Sequence, residues 1–472
     1  MKNKNLRLPA LALCLSLTLL SALCACGEET HEDRGHESLL EENLHNYRYR
    51  LLCTSERNAD AVYASGMTGE VVNDAVFEKL CVVEEMFNCS VELASAVTAG
   101  TAEGIGRSIL AGQDDFDLCM TAEADMASMS CKGYFTDLYD VPGMNLSEPW
   151  YITDGFALGD QMFLFSGDIS YYGMSETGVL FFNKVLFDDY EMEYPYEDVK
   201  NHTWTLQKLW KLVRESYFDL DGDGQMSDRG DIFGFVSGGD YDGIAESLGL
   251  EPFRISADGV ITYAPDTDAY AKAAESVYSL IFGHGGWLCD DTDAARFQFR
   301  NAHAFFCFDK FSAAALSFSG GSLNAVKWGT LPMPLIEESQ KQYYGVSRDC
   351  PAAIPITAAQ HLETTGRITE ALAKTGREIV YPVYYELAMK ARYSTDEIDA
   401  EMVDLIMSNR RYSFSHLYGL GKDLNSILFP TLLDPLAPSA DVSSLIEEQR
   451  GVQEALAQTV MDTFKAIREA NT

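Results

Sequence analysis

The stretch from Asp219 to Asp231, DLDGDGQMSDRGD, places carboxylates at 219, 221 and 223 and a glycine directly after them. Calcium loops of the EF-hand type use that arrangement. Positions one, three and five give carboxylate oxygens, six is glycine, seven gives a carbonyl and twelve a bidentate glutamate. Asp219, Asp221, Asp223, Gly224 and Gln225 meet the first part. The twelfth residue is Gly230, with Asp231 one place late and Asp228 two places early, so the last ligand is out of register. The residues that follow, Ile232 to Phe235, are apolar and strand-like, and a calcium sensor needs a second helix to swing open. Two readings stay open. Asp219, Asp221, Asp223, Gln225 and Asp231 form a structural Ca2+ clip that pins a helix to a strand, or the stretch is a metal-free Asp-Gly turn.

Other chemistry is less marked. The 8 histidines form no HExxH pair, and the chain has no GxSxG elbow, Walker A motif or GxGxxG after a strand. A glycosidase needs only two carboxylates, and 72 acidic residues leave a surface-anchored carbohydrate-active enzyme open as an alternative. A calcium-stabilised adhesin or sensor is a third class, suggested by the acidic loop alone.

The chain begins with a basic segment (Lys2, Lys4, Arg7) and an apolar run from Leu8 to Leu23. That run is short for a membrane span and leads into small residues, the pattern of a secretory signal over 1–25. Leu23-Cys24-Ala25-Cys26-Gly27 resembles the lipobox of bacterial lipoproteins, which makes Cys26 the expected lipid-attachment site. A palmitate-type acyl anchor there would hold the chain on the extracytoplasmic face of the cell membrane without a transmembrane helix. The formal charge of −37 falls further when the leader's three cations leave, which disfavours nucleic acid and anionic headgroups as partners. At 472 residues, two lobes or domains are expected. Cys119 and Cys307 lie in apolar runs and read as buried thiols.

The elements that would position a site follow from periodicity. Residues 26–50 are acid-rich and read as a solvated tether. Asn73 or Asp74 caps a helix carrying Val76, Leu80, Val83 and Phe87, which Asn88 ends before a strand from Cys89 to Leu93. A helix over 102–110 precedes a strand at Phe116–Met120. Gly178–Phe182 is another strand, and Thr205 caps a helix whose buried stripe is Leu206, Leu209, Trp210 and Val213. Ala302–Phe308 and the segment from Trp328 read as strands. Ser394 with Glu397, and Ser444 with Glu447, have capping-box spacing before C-terminal helices. Alternating helices and strands predict an α/β chain with largely parallel sheets and a helical end.

In order along the chain, Asp115-Phe-Asp117 stands before a strand and Gly133-Tyr-Phe-Thr-Asp-Leu138 after it. Leu146-Ser-Glu-Pro-Trp150, Gly167-Asp168, Thr203-Trp204-Thr205, Gly329-Thr-Leu-Pro332 and Tyr381-Pro-Val-Tyr-Tyr385 follow. With the lipobox in front, this series resembles the extracellular solute-binding proteins of ABC importers, in the branch that includes the maltose-binding protein. The resemblance implies a two-lobed periplasmic-binding-protein-like fold, with a ligand cleft between the lobes and no catalysis. It also implies a small solute, first of all a carbohydrate, a monomeric state, and membrane permease subunits as partners; the acidic body suits a neutral or cationic solute, so a polyamine or peptide stays open. Lobe 1 is expected at about 51–165 and 335–385, and lobe 2 at 166–334 and 386–472. On the same resemblance, Thr68, Glu123 and Asp125 match ligand-contacting loops, and Asp168 and Tyr171 lie on the first crossing segment. Phe308 and Asp309 end a strand at the cleft. Trp150, after Pro149 near the lobe boundary, is a further ligand candidate or a hinge-packing residue.

Overall fold

The computed structural model describes residues 43–94, 102–223, 231–238, 241–282, 286–288, 292–314, 327–348, 350–390, 397–420 and 441–471. Cys26, Gln225 and Ser394 lie outside the described residues. Among the described residues no helix is long and apolar enough to cross a membrane.

The first sheet is built on β1 (Tyr47–Cys53), which pairs in parallel with β2 (Cys89–Leu93) on one side and β3 (Leu118–Met120) on the other. A short return strand, Ala352–Ala353, runs antiparallel along β3. Four helices belong to this part: α1 (Glu56–Asp60), α2 (Val71–Phe87), α3 (Ala102–Leu110) and α4 (Glu123–Cys131). Because β1 already starts at Tyr47, the last residues of the expected tether are in the sheet. Tyr49 is buried there, which a solvated segment would not allow.

Helix α2 ends at Asn88 in the left-handed conformation, φ 47°, as its residue type predicts. Its start differs from expectation. Glu70 is the N-cap, accepting from the Asn73 N–H, while Asp74 inside the first turn accepts from the Thr68 and Gly69 N–H groups. An acid at either place offsets the helix's positive end, so the cap moved one turn back without changing the physics.

The second sheet has five strands, in the order Gly286–Leu288, Phe233–Ser237, Ala304–Lys310, Gly178–Asn183 and Trp328–Leu331. The first three run parallel to one another, and Gly178–Asn183 runs against both its neighbours. Every residue of Gly178–Asn183 and Phe233–Ser237 is buried, the pattern of a sheet covered on both faces. Thr205 caps the covering helix Leu206–Glu215, as its sequence predicts. That helix sits so close that a Cβ at Gly234 would lie 2.5 Å from the Val213 carbonyl oxygen, which is why glycine is needed there. Cys119 and Cys307 are fully buried.

Two extended segments cross between the sheets side by side. Phe165 pairs with Ala352 and Thr177 with Ser347, and the Thr177 and Ser347 hydroxyls are 2.7 Å apart. The Asp168 N–H donates to the Trp150 carbonyl at 2.8 Å, and Gly376 packs directly on the Asp168 carbonyl. Residues 335–346, expected in lobe 1, stay with the second sheet: Leu335 bonds to Trp204 and Leu206, His202 to the Gln340 carbonyl, and Gly345 to Asn409. The chain returns to the first sheet only at about Cys350, where Ala352–Ala353 pairs with β3. The last helix, Val442–Asn471, begins beyond Asp441, which accepts from Ser443 and Ser444, three residues earlier than the Ser444 capping box implied. It touches both parts: Tyr263 donates to its Ile446 carbonyl, and Phe464 packs on Phe163.

Candidate functional site

In parallel sheets, ligands collect at the carboxyl ends of the strands, where the loops open. Here β1 ends at Cys53 and β3 at Met120, and the Thr54 and Thr121 hydroxyls just beyond them are 2.6 Å apart. Ser55 caps α1, so the helix rises from that edge and carries Asn58 and Arg57 with it. Asn58 is fully buried; its amide nitrogen is 3.4 Å from the Met120 carbonyl, and its Oδ1 has no hydrogen-bond partner among the described residues. The corresponding edge of the second sheet presents Ser237, Lys310 and the start of Gly178–Asn183, with Glu176 just before it.

The two edges face each other across charged contacts. Arg57 Nη2 reaches Glu176 Oε1 at 2.6 Å, and Lys310 Nζ lies 3.4 Å from the other carboxylate oxygen. Burial raises the Glu176 carboxyl, but Lys310 and Arg57 more than reverse this and hold it below the ordinary range. Further along, Glu246 on the helix Tyr241–Ser247 meets Arg348 Nη1 at 2.8 Å and His416 Nδ1 at 3.1 Å. His416 Nε2 is 3.5 Å from Glu123 Oε2 at the start of α4. A chain of ionisable groups thus runs from the first sheet's helices to the second's.

A cavity of about 10 Å³ lies inside this gap, between Glu176, Ser247, Phe308, Lys310 and Arg348. It holds at most a water. A larger cavity, about 490 Å³, lies elsewhere, between Glu251, Tyr270, Glu337 and Tyr344 on the second sheet's side. A neighbouring one of about 400 Å³ shares Glu251 and Phe253 with it. The sheet edges, and not volume, single out the gap: they bring backbone ends, hydroxyls and charges from both sheets to one place.

The residues expected from the sequence separate in space. Glu123 is in the gap. Phe308 is buried in its floor, and Tyr171 stacks on Tyr384 at 4.3 Å within the core beside it. Asp168 is buried on the crossing segment. Burial pushes its carboxyl up to about 6, against the pull of Arg377, whose Nη1 is 3.3 Å away. Trp150 is buried under that segment and supports it through its carbonyl. Asp309 is engaged by Arg296 through two bonds, 2.7 and 2.9 Å, which tie the strand to the helix Thr292–Arg300. Thr68 and Asp125 are exposed, Thr68 at the entry to α2 and Asp125 in the first turn of α4. Arg57, Glu176, Glu246, Arg348 and His416 complete the gap and were not expected from the sequence. The one available signal was Glu176 standing in Ser-Glu-Thr-Gly directly before a wholly apolar strand.

The acidic loop begins where expected, just beyond the helix Leu206–Glu215. Asp219, Asp221 and Asp223 each offer an oxygen, all within 4.8 Å of one another. Asp231 is buried and accepts from the Leu220 N–H at 2.9 Å, closing the loop's base. A second acid–histidine group, Asp114, Asp117 and His361, is already threaded by the Arg50 guanidinium, which supplies the positive charge a metal would bring.

No family model and no curated protein sequence matches the chain. Solved structures do. The GacH receptor of Streptomyces glaucescens, studied unliganded and with acarbose, is 11% identical over 87% of this chain and 99% of its own, with a TM-score of 0.55. UgpB from Mycobacterium tuberculosis, in complex with glycerophosphocholine, is 12% identical over 88% of this chain and 98% of its own, also at 0.55. The maltodextrin-binding MalE domain from Bdellovibrio bacteriovorus, bound to maltotriose, is 14% identical over 87% and 100%, at 0.52. At such identities the likeness is one of architecture. The chain therefore has the two-lobed α/β fold found in the solute-binding proteins of ABC importers, with the charged gap described above lying between its lobes.

Proposed function

We propose that this chain is the solute-binding component of an ABC importer, capturing a carbohydrate between its lobes and delivering it to a membrane permease. One observation carries the reading: the carboxyl edges of two separate sheets converge on a gap lined by hydroxyls, a buried amide with an open acceptor and exchangeable ion pairs. Hydroxyl and amide groups at strand ends suit the dense donor and acceptor pattern of a saccharide, and a cleft between lobes is where such sites form. The crossing segments are few and narrow, which suits a hinge, and closure on a solute would shift the population toward the state the permease meets. Solute would enter as the lobes part and the Arg57–Glu176 contact opens. Cys26 would carry the lipid that keeps the protein at the extracytoplasmic face, as a monomer.

Thermal unfolding against a panel of oligosaccharides tests this. A ligand at about a hundred times its Kd should add roughly 2.7 kcal/mol of stability and raise Tm in step with concentration. A melting temperature that no saccharide moves would count against the reading.

The acidic loop we read as a Ca2+ clip, with Asp219, Asp221 and Asp223 as first ligands. Gln225 and Asp231 complete the set, the latter through a shift of the loop. Millimolar Ca2+ should raise Tm over that in excess chelator and leave saccharide preference unchanged. Equal melting temperatures would favour the metal-free turn.

A further inference from the structure

The gap is electrostatically unlike the rest of the molecule. In a chain of formal charge −37, the accessible groups at its centre are cations. The side chain of Arg57 is 51% exposed and that of Lys310 31%, while the Glu176 carboxylate between them is only 8% exposed. One carboxylate thus serves two cations, both more accessible than it is, while the other acid in the gap, Glu123, lies apart from them beside His416. Glu246, the next carboxylate, does not redress this, because Arg348 and His416 already claim it. The Arg348 N–H also donates to the Glu176 carbonyl at 3.3 Å, which fixes the carboxylate's backbone from behind. Tyr172 adds a surface: its ring centre is 5.5 Å from the Arg57 guanidinium carbon, and the ring is partly exposed.

We propose that the solute is an acidic saccharide, and this rests on reading the gap as the solute site. A sugar ring would pack on Tyr172, while its carboxylate, sulfate or phosphate would lie against Arg57 and Lys310. Guanidinium supplies a fork of donors matched to oxyanions, and the ammonium supplies a compact charge beside it. The protein's overall negative charge does not prevent this. Exposed charges more than about 10 Å away are screened at ordinary ionic strength, whereas the two cations would touch the anion directly.

The experiment is calorimetric titration of the mature chain with matched pairs: uronic, sulfated and phosphorylated oligosaccharides, each beside its neutral counterpart. At least one acidic class should bind about 10- to 100-fold more tightly than its counterpart, the range of a lost charge-assisted contact. Its affinity should fall as salt rises. The three arms identify which oxyanion is recognised. Lys310→Met should lower that affinity about tenfold or more, a larger loss than the neutral counterpart shows, and Lys310→Arg should restore it. Circular dichroism and the melting curve of each variant separate lost binding from lost fold. If neutral saccharides bind as tightly as acidic ones and Lys310→Met weakens both equally or neither, the inference fails while the solute-binding reading stands. If no saccharide binds, both fail.

Discussion

In wild-type protein compared with Lys79→Met, the stability difference should climb by about 1.4 kcal/mol for each pH unit above pH 7, in favour of the wild type. Lys79 sits on α2 with no exposure at all, and its Nζ donates to the Val62 carbonyl at 3.1 Å and the Ile169 carbonyl at 3.0 Å. Neither partner carries a charge. Burial therefore disfavours the ammonium and brings its pKa down from 10.5 to about 7, with only the nearby Cys53 pulling the other way. The unfolded chain binds this proton up to 10.5 and the folded one only up to about 7, so between those values unfolding takes up a proton. Rising pH removes that advantage of the unfolded state, and stability increases. Below pH 7 the penalty is constant. The full effect is roughly 4–5 kcal/mol, large against a net stability of about 5–15. Urea unfolding of both proteins between pH 7 and pH 9.5 reads it directly. A difference that does not change with pH would mean that Lys79 reaches water. Because Ile169 lies on the crossing segment, the same substitution also releases one of the bonds that hold the hinge to lobe 1.

Glu246→Gln should destabilise the protein by about 3–5 kcal/mol, the usual result of breaking a buried charge pair from one side. Glu246 is 2% exposed and holds Arg348 and His416 together at the lobe boundary. Burial alone would push its carboxyl up. The attraction of Arg348, with the bond from His416, reverses that and holds it at about 2. Its folded pKa is thus below the unfolded value of 4.5, so its stabilising effect is complete above pH 4.5. It is lost as pH falls toward 2, an acid limb of roughly 3 kcal/mol. The variant should therefore start lower and lose less between pH 5 and pH 3 than the wild type. Parallel acid limbs would show that the carboxylate is not held by these partners. Arg348→Met in a double-mutant cycle should recover much of the loss, since the orphaned cation goes with it.

The architecture was legible in the sequence where it depends on local rules. Asn88 ends α2 in the left-handed conformation, Thr205 caps its helix, and the apolar run after Gly178 is a buried strand, because each outcome is decided within a few residues. Local rules failed where two residues could do one job. Glu70 took the cap expected of Asn73 or Asp74, and Asp441 took that of Ser444. The site was less legible for a different reason. Arg57 meets Glu176 across 119 positions and Arg348 meets Glu246 across 102, and nothing near any of the four marks the partner. Asp309 illustrates the limit well. A carboxylate at a strand end does need partners, and one of them is Arg296, thirteen residues earlier on the same structural unit. Phe308, Tyr171 and Trp150 show the corresponding ambiguity of aromatic residues, whose burial in a core or beside a ligand leaves the same trace in sequence.

Hydrogen–deuterium exchange, with and without the saccharide that raises Tm most, tests the central claim most directly. Protection should appear at 54–58, 121–123, 172–178, 308–312 and 346–348, the strand ends and crossing segments that frame the gap, drawn from both lobes at once. Protection confined to 248–272 and 336–344, around the cavity of about 490 Å³, would place the solute outside the gap and contradict the account.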